Sequence, residues 1–345
     1  MLLKTGVNDN ERRIDRILRK ALPGYPLSLI HRLLRQGKIL VDGCPAQARD
    51  RIPSGAEITV PDTRESAGIR PQSPTPCSPL PTPQHPLSTL HILWQDSNLL
   101  ILNKPAGLAV HGTESLDTLV QRYLAGRLSR PENASLSFKP GPLHRLDKPS
   151  SGAIAFSTSL AGARDFSSRM REGRIKKQYL AVVEGRLAQR ETWSDGLSRD
   201  KARKKTSVVQ NDAAAGAAAL TTVLPLAVSI APYTDRFTLI AAEIHTGRTH
   251  QIRAQAAAHG HPLMGDKKYG SRTNAPVHGG IAPPIRAGNF FLHAWKLKID
   301  DNTELSAPLP EAFQSLIKTL FGLNSDAVGL GQLVLSASSL YNLNK

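Results

Sequence analysis

The sequence predicts an α+β fold, in which a small α/β domain precedes a large domain around a mixed, largely antiparallel sheet. From about residue 89 to residue 322, short apolar runs are separated by Gly, Pro and Asn, a pattern typical of strands joined by turns. Stretches with helical spacing lie between these runs, so helices and strands belong to one domain. A shorter segment, residues 10–61, shows two helical patterns followed by strands.

Each element of the large domain is predicted from its own run of residues. Apolar runs predict strands at 92–94, 99–102, 154–156, 180–183, 238–241 and 297–299. Helical periodicity predicts helices at 115–127 and 160–172. We therefore assign residues 89–322 to one domain of mixed helices and strands, and no role to the apolar, Ser-rich tail at 323–345.

The small domain is predicted from the spacing of its apolar residues. The positions with helical spacing are Ile14, Ile17 and Leu18 in a first helix and Leu29, Ile30, Leu33 and Leu34 in a second. The second helix can end at Gly37. A strand at 38–41 then leads into Asp42-Gly43, a favoured tight-turn pair, and 58–60 supply a closing strand.

A Pro-rich segment at 62–88 separates the two predicted domains. Seven prolines lie between Pro71 and Pro86. Proline has no amide donor and a restricted backbone angle, so this segment cannot join a helix or a central strand. We expect an extended linker between domains. The alternative is a long loop inside one domain, which compact domains use less often.

The charge of the chain indicates a polyanionic partner. Lys and Arg number 44 against 28 Asp and Glu, which gives a formal net charge of +16. An excess of this size favours nucleic acid first and an anionic membrane surface second. No apolar run approaches the ~20 residues of a membrane-spanning helix, and the first residues lack the apolar core of a signal peptide. Cys44 and Cys77 have no metal-ligand spacing, which favours a reducing, cytoplasmic location.

Basic residues are concentrated on the two predicted helices of the small domain. Between Arg12 and Lys38 there are eight basic residues and one acidic residue, Asp15. Arg12, Arg16 and Arg19 are four and three residues apart, which predicts one helical face, and Arg32 and Arg35 repeat this spacing. We interpret Arg12, Arg16, Arg19, Arg32, Arg35 and Lys38 as phosphate contacts. An ordinary solvated helix face is the alternative.

Reactive side chains are concentrated at 142–152. Pro149 and Gly152 predict a turn there, and Asp147 lies just before it. Loops on a rigid scaffold often carry catalytic groups, so Asp147 is a candidate catalytic residue. On spacing alone, it could equally be a turn residue or an ion-pair partner of Arg145 or Lys148.

A second polar segment, 243–253, contains two histidines that could suggest a metal. His245 and His250 are five residues apart, which places them on different faces of a helix and on opposite faces of a strand. His259 and His261 follow no zinc pattern, so we predict no metal and interpret the histidines as polar or RNA-contacting residues. The chain has no Gly-rich phosphate loop and no nucleophile elbow. The basic cluster at 199–205 is either a solvated loop or a further phosphate contact.

Segments of the small and of the large predicted domain each resemble a known family. Residues 12–18, residues 29–38 and Val41-Asp42-Gly43 resemble the S-four RNA-binding domain. The larger domain resembles the RluA-type pseudouridine synthases. Its matching motifs are 103–108 with Val110 and His111, 144–152, 176–181, 246–253, 260–263 with Gly265 and Asp266, Tyr269 with Gly270, and 292–294. Departures are Ser150 in place of the usual Thr, Ala254-Gln255 in place of Val-His, and an Ala-rich stretch at 212–233.

The resemblance implies an enzyme that isomerises uridine to pseudouridine in RNA without a cofactor. It implies that Asp147 is the catalytic carboxylate, that Arg253 pairs with it, and that Tyr179 stacks on the uracil while its hydroxyl assists proton removal. Because the target base must leave its stack, Arg145 is expected to fill the vacated space or hold the flipped nucleotide. Arg248 and His250 are expected to contact RNA. Whether Asp147 attacks the sugar or the base stays open.

The expected partner is RNA, with large-subunit ribosomal RNA favoured over transfer RNA, and the expected state is a monomer. A non-catalytic RNA-binding or ribosome-assembly factor is the alternative, and it would bind RNA without modifying it. A hydrolase of glycosidic bonds is a third interpretation, but it normally needs two carboxylates, and the sequence indicates no second carboxylate beside Asp147.

Overall fold

The structure, a computed structural model, describes residues 1–62, 90–128, 135–200, 202–209, 216–271 and 290–323, with Gly329 and Gln332. Most of the predicted linker at 62–88 and of the tail at 323–345 therefore lies outside the described residues. Among those that are described, no helix is both long and apolar enough to cross a lipid bilayer.

The N-terminal unit packs two helices against short strands. Its strands are β1 (Leu2–Lys4), β2 (Arg12–Arg13), β3 (Leu40–Val41), β4 (Cys44–Pro45), β5 (Arg51–Ile52) and β6 (Glu57–Thr59), and its helices are α1 (Ile14–Ala21) and α2 (Leu27–Arg35). The sheet order is β1-β6-β3-β4, and β2 pairs with β5. The predicted apolar positions of both helices are buried in one core. The predicted unit, 10–61, did not include β1, which is too short to show strand periodicity.

One sequence prediction in this unit is wrong. Arg12 is not on the helix with Arg16 and Arg19, because α1 begins at Ile14 and Arg12 lies in β2, paired with Ile52. Arg16 and Arg19 remain exposed on α1, whereas Arg12 is half-buried. Burial and the nearby charge of Arg164 lower the pKa of Arg12, although Asp9 works in the opposite direction. The helical spacing was extended two residues too far toward the N-terminus.

The N-terminal unit is attached to the large domain through buried hydrogen bonds of Asp9. This side chain is fully buried. Its Oδ1 accepts hydrogen bonds from the Ser135 and Ser137 hydroxyls at 2.8 and 2.5 Å, and its Oδ2 accepts one from the Leu136 amide at 2.8 Å. Leu136 also packs against the core of the N-terminal unit. The sequence predicted only a linker between the two units. The structure shows that Asp9 also connects them directly through residues 135–137.

The large domain is built on one sheet of eleven strands among the described residues. Its strands are β7 (His91–Gln95), β8 (Leu99–Lys104), β9 (Gly141–Pro142), β10 (Ser151–Ser157), β11 (Lys176–Glu184), β12 (Glu191–Asp200), β13 (Lys205–Val208), β14 (Ala217–Val228), β15 (Phe237–Ile244), β16 (Leu292–Lys298) and β17 (Glu304–Ser306). The order is β13-β12-β14-β15-β11-β16-β10-β8-β7, with β17 beside β16 and β9 beside β10. Only β10 and β16 run parallel in the described part. The predicted α+β class is confirmed.

Helices cover both faces of this sheet. They are α3 (Leu116–Leu128), α4 (Leu160–Arg171), α5 (Gln251–Ala258) and α6 (Glu311–Phe321). Alternate residues of the central strand β11 pack on opposite sides: Tyr179 and Ala181 belong to the core with α3 and α5, while Leu180 and Val182 belong to the core with α6. The middle of the sheet is thus buried on both faces, and the loops at its edge are held in place.

Candidate active site

The predicted catalytic loop lies between β9 and β10, and β10 lies between β16 and β8 in the sheet. Its turn is closed by the Ser150 amide, which donates to the Asp147 carbonyl at 3.1 Å. The sequence had suggested that Gly152 is part of the turn. It is instead the second residue of β10. Its φ is +109°, and a Cβ built there would lie 2.2 Å from the Ala294 carbonyl oxygen. Glycine is needed at this position because β16 approaches the loop so closely.

A buried lysine anchors the same loop from the end of β8. Lys104 is fully buried, and its Nζ donates to the carbonyls of Leu108, Pro105 and Lys148 at 2.7, 2.9 and 3.2 Å. Lys148 follows Asp147 directly, so this contact holds the backbone beside the candidate carboxylate. Burial lowers the pKa of Lys104 to about 7, although the charge of Asp147 works in the opposite direction.

Asp147 and Arg253 are brought together as the resemblance implied. Arg253 Nη1 donates to Asp147 Oδ2 at 2.8 Å. The other side of the guanidinium binds a second carboxylate, with Nε 2.6 Å from Asp266 Oδ2 and Nη2 2.9 Å from Asp266 Oδ1. Two-point binding of a planar guanidinium fixes its orientation. Asp266 therefore positions Arg253, and Arg253 positions Asp147.

Aromatic rings enclose the guanidinium. The Arg253 Cζ lies 4.8 Å from the centre of the Tyr269 ring and 4.2 Å from that of Phe290. Cation–π contacts of this kind favour the charged group and exclude water from around it. Arg253 is thus held by one buried carboxylate and two rings, which leaves one of its edges for Asp147.

A chain of polar contacts reaches Asp147 from its other side. The Thr206 amide donates to the Tyr269 hydroxyl at 2.9 Å, and this hydroxyl lies 2.7 Å from His250 Nδ1. His250 Nε2 is 3.7 Å from Asp147 Oδ1. The hydroxyl accepts from the amide and keeps its own proton, so we expect it to donate to Nδ1 and the imidazole proton to lie on Nε2, on the side of Asp147.

His250 has two further unusual properties. Burial lowers its pKa, while the charge of Asp147 works in the opposite direction, so the ring is largely neutral at pH 7. Its backbone is left-handed, with φ +55°, at the residue before α5. Such strain in a non-glycine residue costs about 1–3 kcal/mol and is frequent at functional sites.

Tyr179 faces the same cavity from β11. It is buried, and burial raises the pKa of its hydroxyl well above the ordinary value, with the charge of Asp147 adding to the shift. The phenol therefore stays protonated at neutral pH. Its ring can stack on a base and its hydroxyl can donate a hydrogen bond, but it is poorly suited to removing a proton.

A cavity of about 240 Å³ is lined by Asp147, Tyr179, His250 and Arg253, among other residues. Its charged lining residues are Arg145, Asp147, Lys177, Arg248 and Arg253, so that one carboxylate faces four cations. Arg145 and Arg248 are exposed, whereas Lys177 is buried. Such a cavity favours an anionic ligand.

The predicted RNA-contact residues lie in two places. Arg145, Arg248 and His250 line the cavity. Those of the N-terminal unit, namely Arg12, Arg16, Arg19, Arg32, Arg35 and Lys38, are outside its lining, and apart from Arg12 they are exposed. The described residues contain no cluster of three His, Cys, Asp or Glu side chains that could hold a metal ion.

Sequence reasoning assigned no role to four residues of this site: Lys104, Lys177, Asp266 and Tyr269. All four lie within the motifs of the resemblance. The period of two between Lys177 and Tyr179 could have placed both side chains on one face of a strand. No local pattern predicted that Asp266 would bind Arg253 from a separate loop.

The fold and the site together define a class of protein: an α+β enzyme in which a guanidinium holds the carboxylate that lines the cavity, beside a buried tyrosine, and the cavity suits a polyanion. Comparison with known proteins identifies the family. Residues 98–258 match the family model described as RNA pseudouridylate synthase.

Similar proteins extend the match beyond the central domain. A "ribosomal large subunit pseudouridine synthase C" from Escherichia coli O157:H7 is 30% identical over 325 residues, which are 90% of this chain and 93% of that protein. The protein of the same name from Pasteurella multocida is 28% identical over 337 residues, which are 92% of this chain and 93% of that one.

A solved human structure, "RNA Pseudouridylate Synthase Domain Containing 1", has the same fold. It superimposes with a TM-score of 0.53 at 24% identity and covers 74% of this chain and 96% of that one. The chain therefore belongs to the RNA pseudouridylate synthase family and is an enzyme that isomerises uridine to pseudouridine in RNA.

Proposed function

We propose that Asp147 is the carboxylate with which this enzyme breaks and remakes the bond between uracil and ribose. The observation that carries the proposal is the 2.8 Å contact between Asp147 and Arg253 in a cavity that Tyr179 also lines. A carboxylate can act as a nucleophile or stabilise a positive sugar carbon. The adjacent guanidinium, 2.8 Å away, fixes the orientation of the carboxylate.

The reaction needs no further reactant. The C1′–N1 bond breaks, the base turns, and a C1′–C5 bond forms, after which C5 loses a proton and N1 gains one. Because Tyr179 stays protonated, its role in this proposal is to hold the detached base: its ring stacks on the uracil and its hydroxyl donates a hydrogen bond. Asp147, once released from any covalent intermediate, is the group in the cavity that is suited to accept the C5 proton.

The cavity serves a flipped nucleotide in this proposal. An enzyme that acts on the glycosidic bond of a stacked base has to extrude the nucleotide. Arg145 is exposed and lies two residues before Asp147. In this proposal, its side chain fills the space that the base leaves in the RNA or binds the phosphate of the flipped nucleotide. Arg248, which is also exposed where it lines the cavity, and the basic residues of the N-terminal unit then bind the RNA backbone.

Large-subunit ribosomal RNA is the proposed substrate. Similar proteins that match over about nine tenths of the chain carry "ribosomal large subunit" in their names. The N-terminal unit, an S-four-like domain in our assignment of 10–61, supplies exposed basic residues for a large RNA. A monomer working in the cytoplasm fits this substrate.

An Asp147→Asn variant tests the catalytic assignment. It keeps the shape of the side chain and removes the charge, so we expect turnover to fall by about 10³-fold or more while RNA binding persists. The assay is tritium release from RNA labelled at C5 of uridine. Asp165→Asn, on the exposed side of α4, is the matched control. Turnover by the Asp147 variant within tenfold of wild type would remove Asp147 from this role.

The substrate is tested separately. Pseudouridines are mapped in all cellular RNA from strains with and without the gene, and we expect the missing sites to lie in large-subunit ribosomal RNA. Loss of sites in transfer RNA alone would contradict the substrate assignment and leave the catalytic one standing.

A further inference from the structure

Lys177 lies on the central strand β11, two residues before Tyr179. Side chains two apart on a strand point to the same face, and both residues line the cavity that contains Asp147. Lys177 is 7% exposed. Its ammonium group lies near the segment after β15, since a Cβ built on Gly247 would be 3.8 Å from Lys177 Nζ.

No described residue accepts a hydrogen bond from Lys177 Nζ, and none forms an ion pair with it. The contrast with Lys104 is direct, because that lysine, which is also buried, donates to three carbonyl oxygens. Burying a charge without a partner is costly, and buried charges in folded proteins are normally paired. The ammonium of Lys177 is therefore available to a partner that enters the cavity.

We propose that Lys177 is a further catalytic residue, whose ammonium group donates a hydrogen bond to a carbonyl oxygen of the target uracil and stabilises the negative charge on that base. This proposal rests on the assignment of the cavity as the uridine site. In this proposal, the ammonium group of Lys177 acts on the uracil, and the carboxylate of Asp147 acts at the bond between uracil and ribose.

Charge on the base follows from the chemistry of either route left open for Asp147. If the C1′–N1 bond breaks first, its electron pair stays on uracil, which becomes an anion delocalised over its carbonyl oxygens. If Asp147 first adds to the ring at C6, the displaced π electrons reach the C4 carbonyl oxygen. In both routes, a fixed cation beside a carbonyl oxygen lowers the energy of the charged state.

The position of Lys177 favours the base over the RNA backbone as its partner. Arg145 and Arg248 are exposed where they line the cavity, and exposed cations suit phosphates, which stay on the polymer outside. Lys177 is buried beside Tyr179, so a group that reaches it has to enter the cavity. A flipped base does so, and its phosphate remains near the opening.

The pH dependence of turnover should reveal this lysine. Burial lowers the pKa of Lys177 to about 8, so the ammonium form predominates at neutral pH and is lost as the pH rises above that value. The other titratable groups that face it across the cavity are His144, Arg145, Asp147, Tyr179, Arg248, His250 and Arg253. Burial lowers the pKa of His144 to about 3 and raises that of Tyr179. Burial also lowers the pKa of Lys104, which is outside the lining, to about 7, so Lys177 is the lining residue that titrates near pH 8.

Lys177→Met tests the proposal, because it keeps the length of the side chain and removes the charge. We expect kcat to fall by about 10²- to 10³-fold, as for loss of one stabilising donor, while the Kd for unmodified RNA changes by less than about threefold. Lys176→Met is the matched control. Lys176 is next to it on β11, is exposed, and lies 3.7 Å from Glu243, so its loss should leave kcat unchanged.

The pH profile of kcat/KM supplies a measurement that a purely structural role would not affect. For the wild-type enzyme we expect a fall of about tenfold per pH unit above pH ~8, and for Lys177→Met a flat profile over the same range. In Lys177→Ala, ethylammonium should restore part of the rate, and the bulkier tetramethylammonium, which has no N–H donor, should not.

Several outcomes would overturn the proposal. They are a kcat for Lys177→Met within threefold of wild type, an RNA affinity that falls as much as kcat, or a wild-type kcat/KM that stays constant from pH 7 to pH 9. The last measurement needs no variant, so it decides the matter even if the variants do not fold. An inactive Asp147→Asn with a fully active Lys177→Met would reject this role alone, whereas an active Asp147→Asn would reject the site itself.

Discussion

Two carboxylates bind the same guanidinium, and they differ in what else surrounds them. Asp266 makes two hydrogen bonds to Arg253, and its side chain is 2% exposed. Asp147 makes one, and its side chain is 21% exposed at the edge of the cavity. Both oxygens of the first carboxylate bind Arg253, whereas only one oxygen of the second does so, and its other oxygen lies 3.7 Å from His250 Nε2.

This difference shows how one arginine can serve stability and catalysis at once. A buried ion pair is sensitive to the loss of either partner, because the remaining charge stays buried. Asp266 therefore has to contribute mainly to folding and to the position of Arg253. Asp147, partly exposed and bound through one oxygen, can change its bonding during a reaction without unfolding the site.

Replacing the shared partner should have the largest effect. In Arg253→Met both carboxylates lose their counter-ion, and Asp266 becomes an unpaired buried charge. We expect the free energy of unfolding to fall by about 3–5 kcal/mol and turnover to be lost even where the protein is folded. Urea denaturation followed by circular dichroism measures the first, and tritium release measures the second.

Arg171→Met, at the exposed end of α4, is the control for removal of an arginine and should change stability by less than about 0.5 kcal/mol. If Arg253→Met lowered the free energy of unfolding by less than about 1 kcal/mol, the pairing with Asp266 would not be a major source of stability. Asp266 would then not have the structural role that distinguishes it from Asp147.

Asp266→Asn and Asp147→Asn should separate the two roles. We expect Asp266→Asn to lower the free energy of unfolding by about 1–3 kcal/mol, since it weakens charged hydrogen bonds in a buried site, and to reduce turnover by about 10- to 100-fold through a displaced Arg253. Asp147→Asn should cost less than about 1 kcal/mol and yet remove nearly all turnover. The reverse order of stabilities would show that the roles are exchanged.

Tyr269→Phe should have the smallest effect. The ring over Arg253 is kept, and only the hydroxyl between the Thr206 amide and His250 is lost. We expect a loss of about 1 kcal/mol of stability and a fall in turnover of about threefold to tenfold, because His250 no longer has a fixed tautomer beside Asp147. Nitrogen NMR of the His250 ring should show the proton on Nε2 in wild type. A proton on Nδ1 there would contradict this orientation of the polar chain.

Much of the fold could be predicted because it depends on local patterns. Helices predicted at 115–127 and 160–172 are found at Leu116–Leu128 and Leu160–Arg171, and each predicted apolar run lies in or overlaps a strand. These elements follow from the spacing of apolar residues over a few positions. The candidate site was predicted in part, since Asp147, Tyr179 and Arg253 stood in recognisable motifs.

Predictions that needed a boundary or a distant contact were less successful. Arg12 continues the helical spacing of Arg16 and Arg19, yet its backbone pairs with Ile52 in a strand. Gly152 suggested a turn by residue type, yet it lies in β10 because only glycine fits against β16 there. In both cases, a neighbour far along the chain decided the local conformation.

The sequence by itself determined the class of fold, the basic character of the protein and the motifs that carry its reactive groups, because composition and short-range spacing are properties of the chain alone. Only the tertiary structure decided which groups meet. Asp147 and Arg253 are 106 residues apart, and Asp9 reaches Ser137 across 128 residues. Contacts at such separations depend on how the sheet and its loops pack as a whole, and no local preference specifies them.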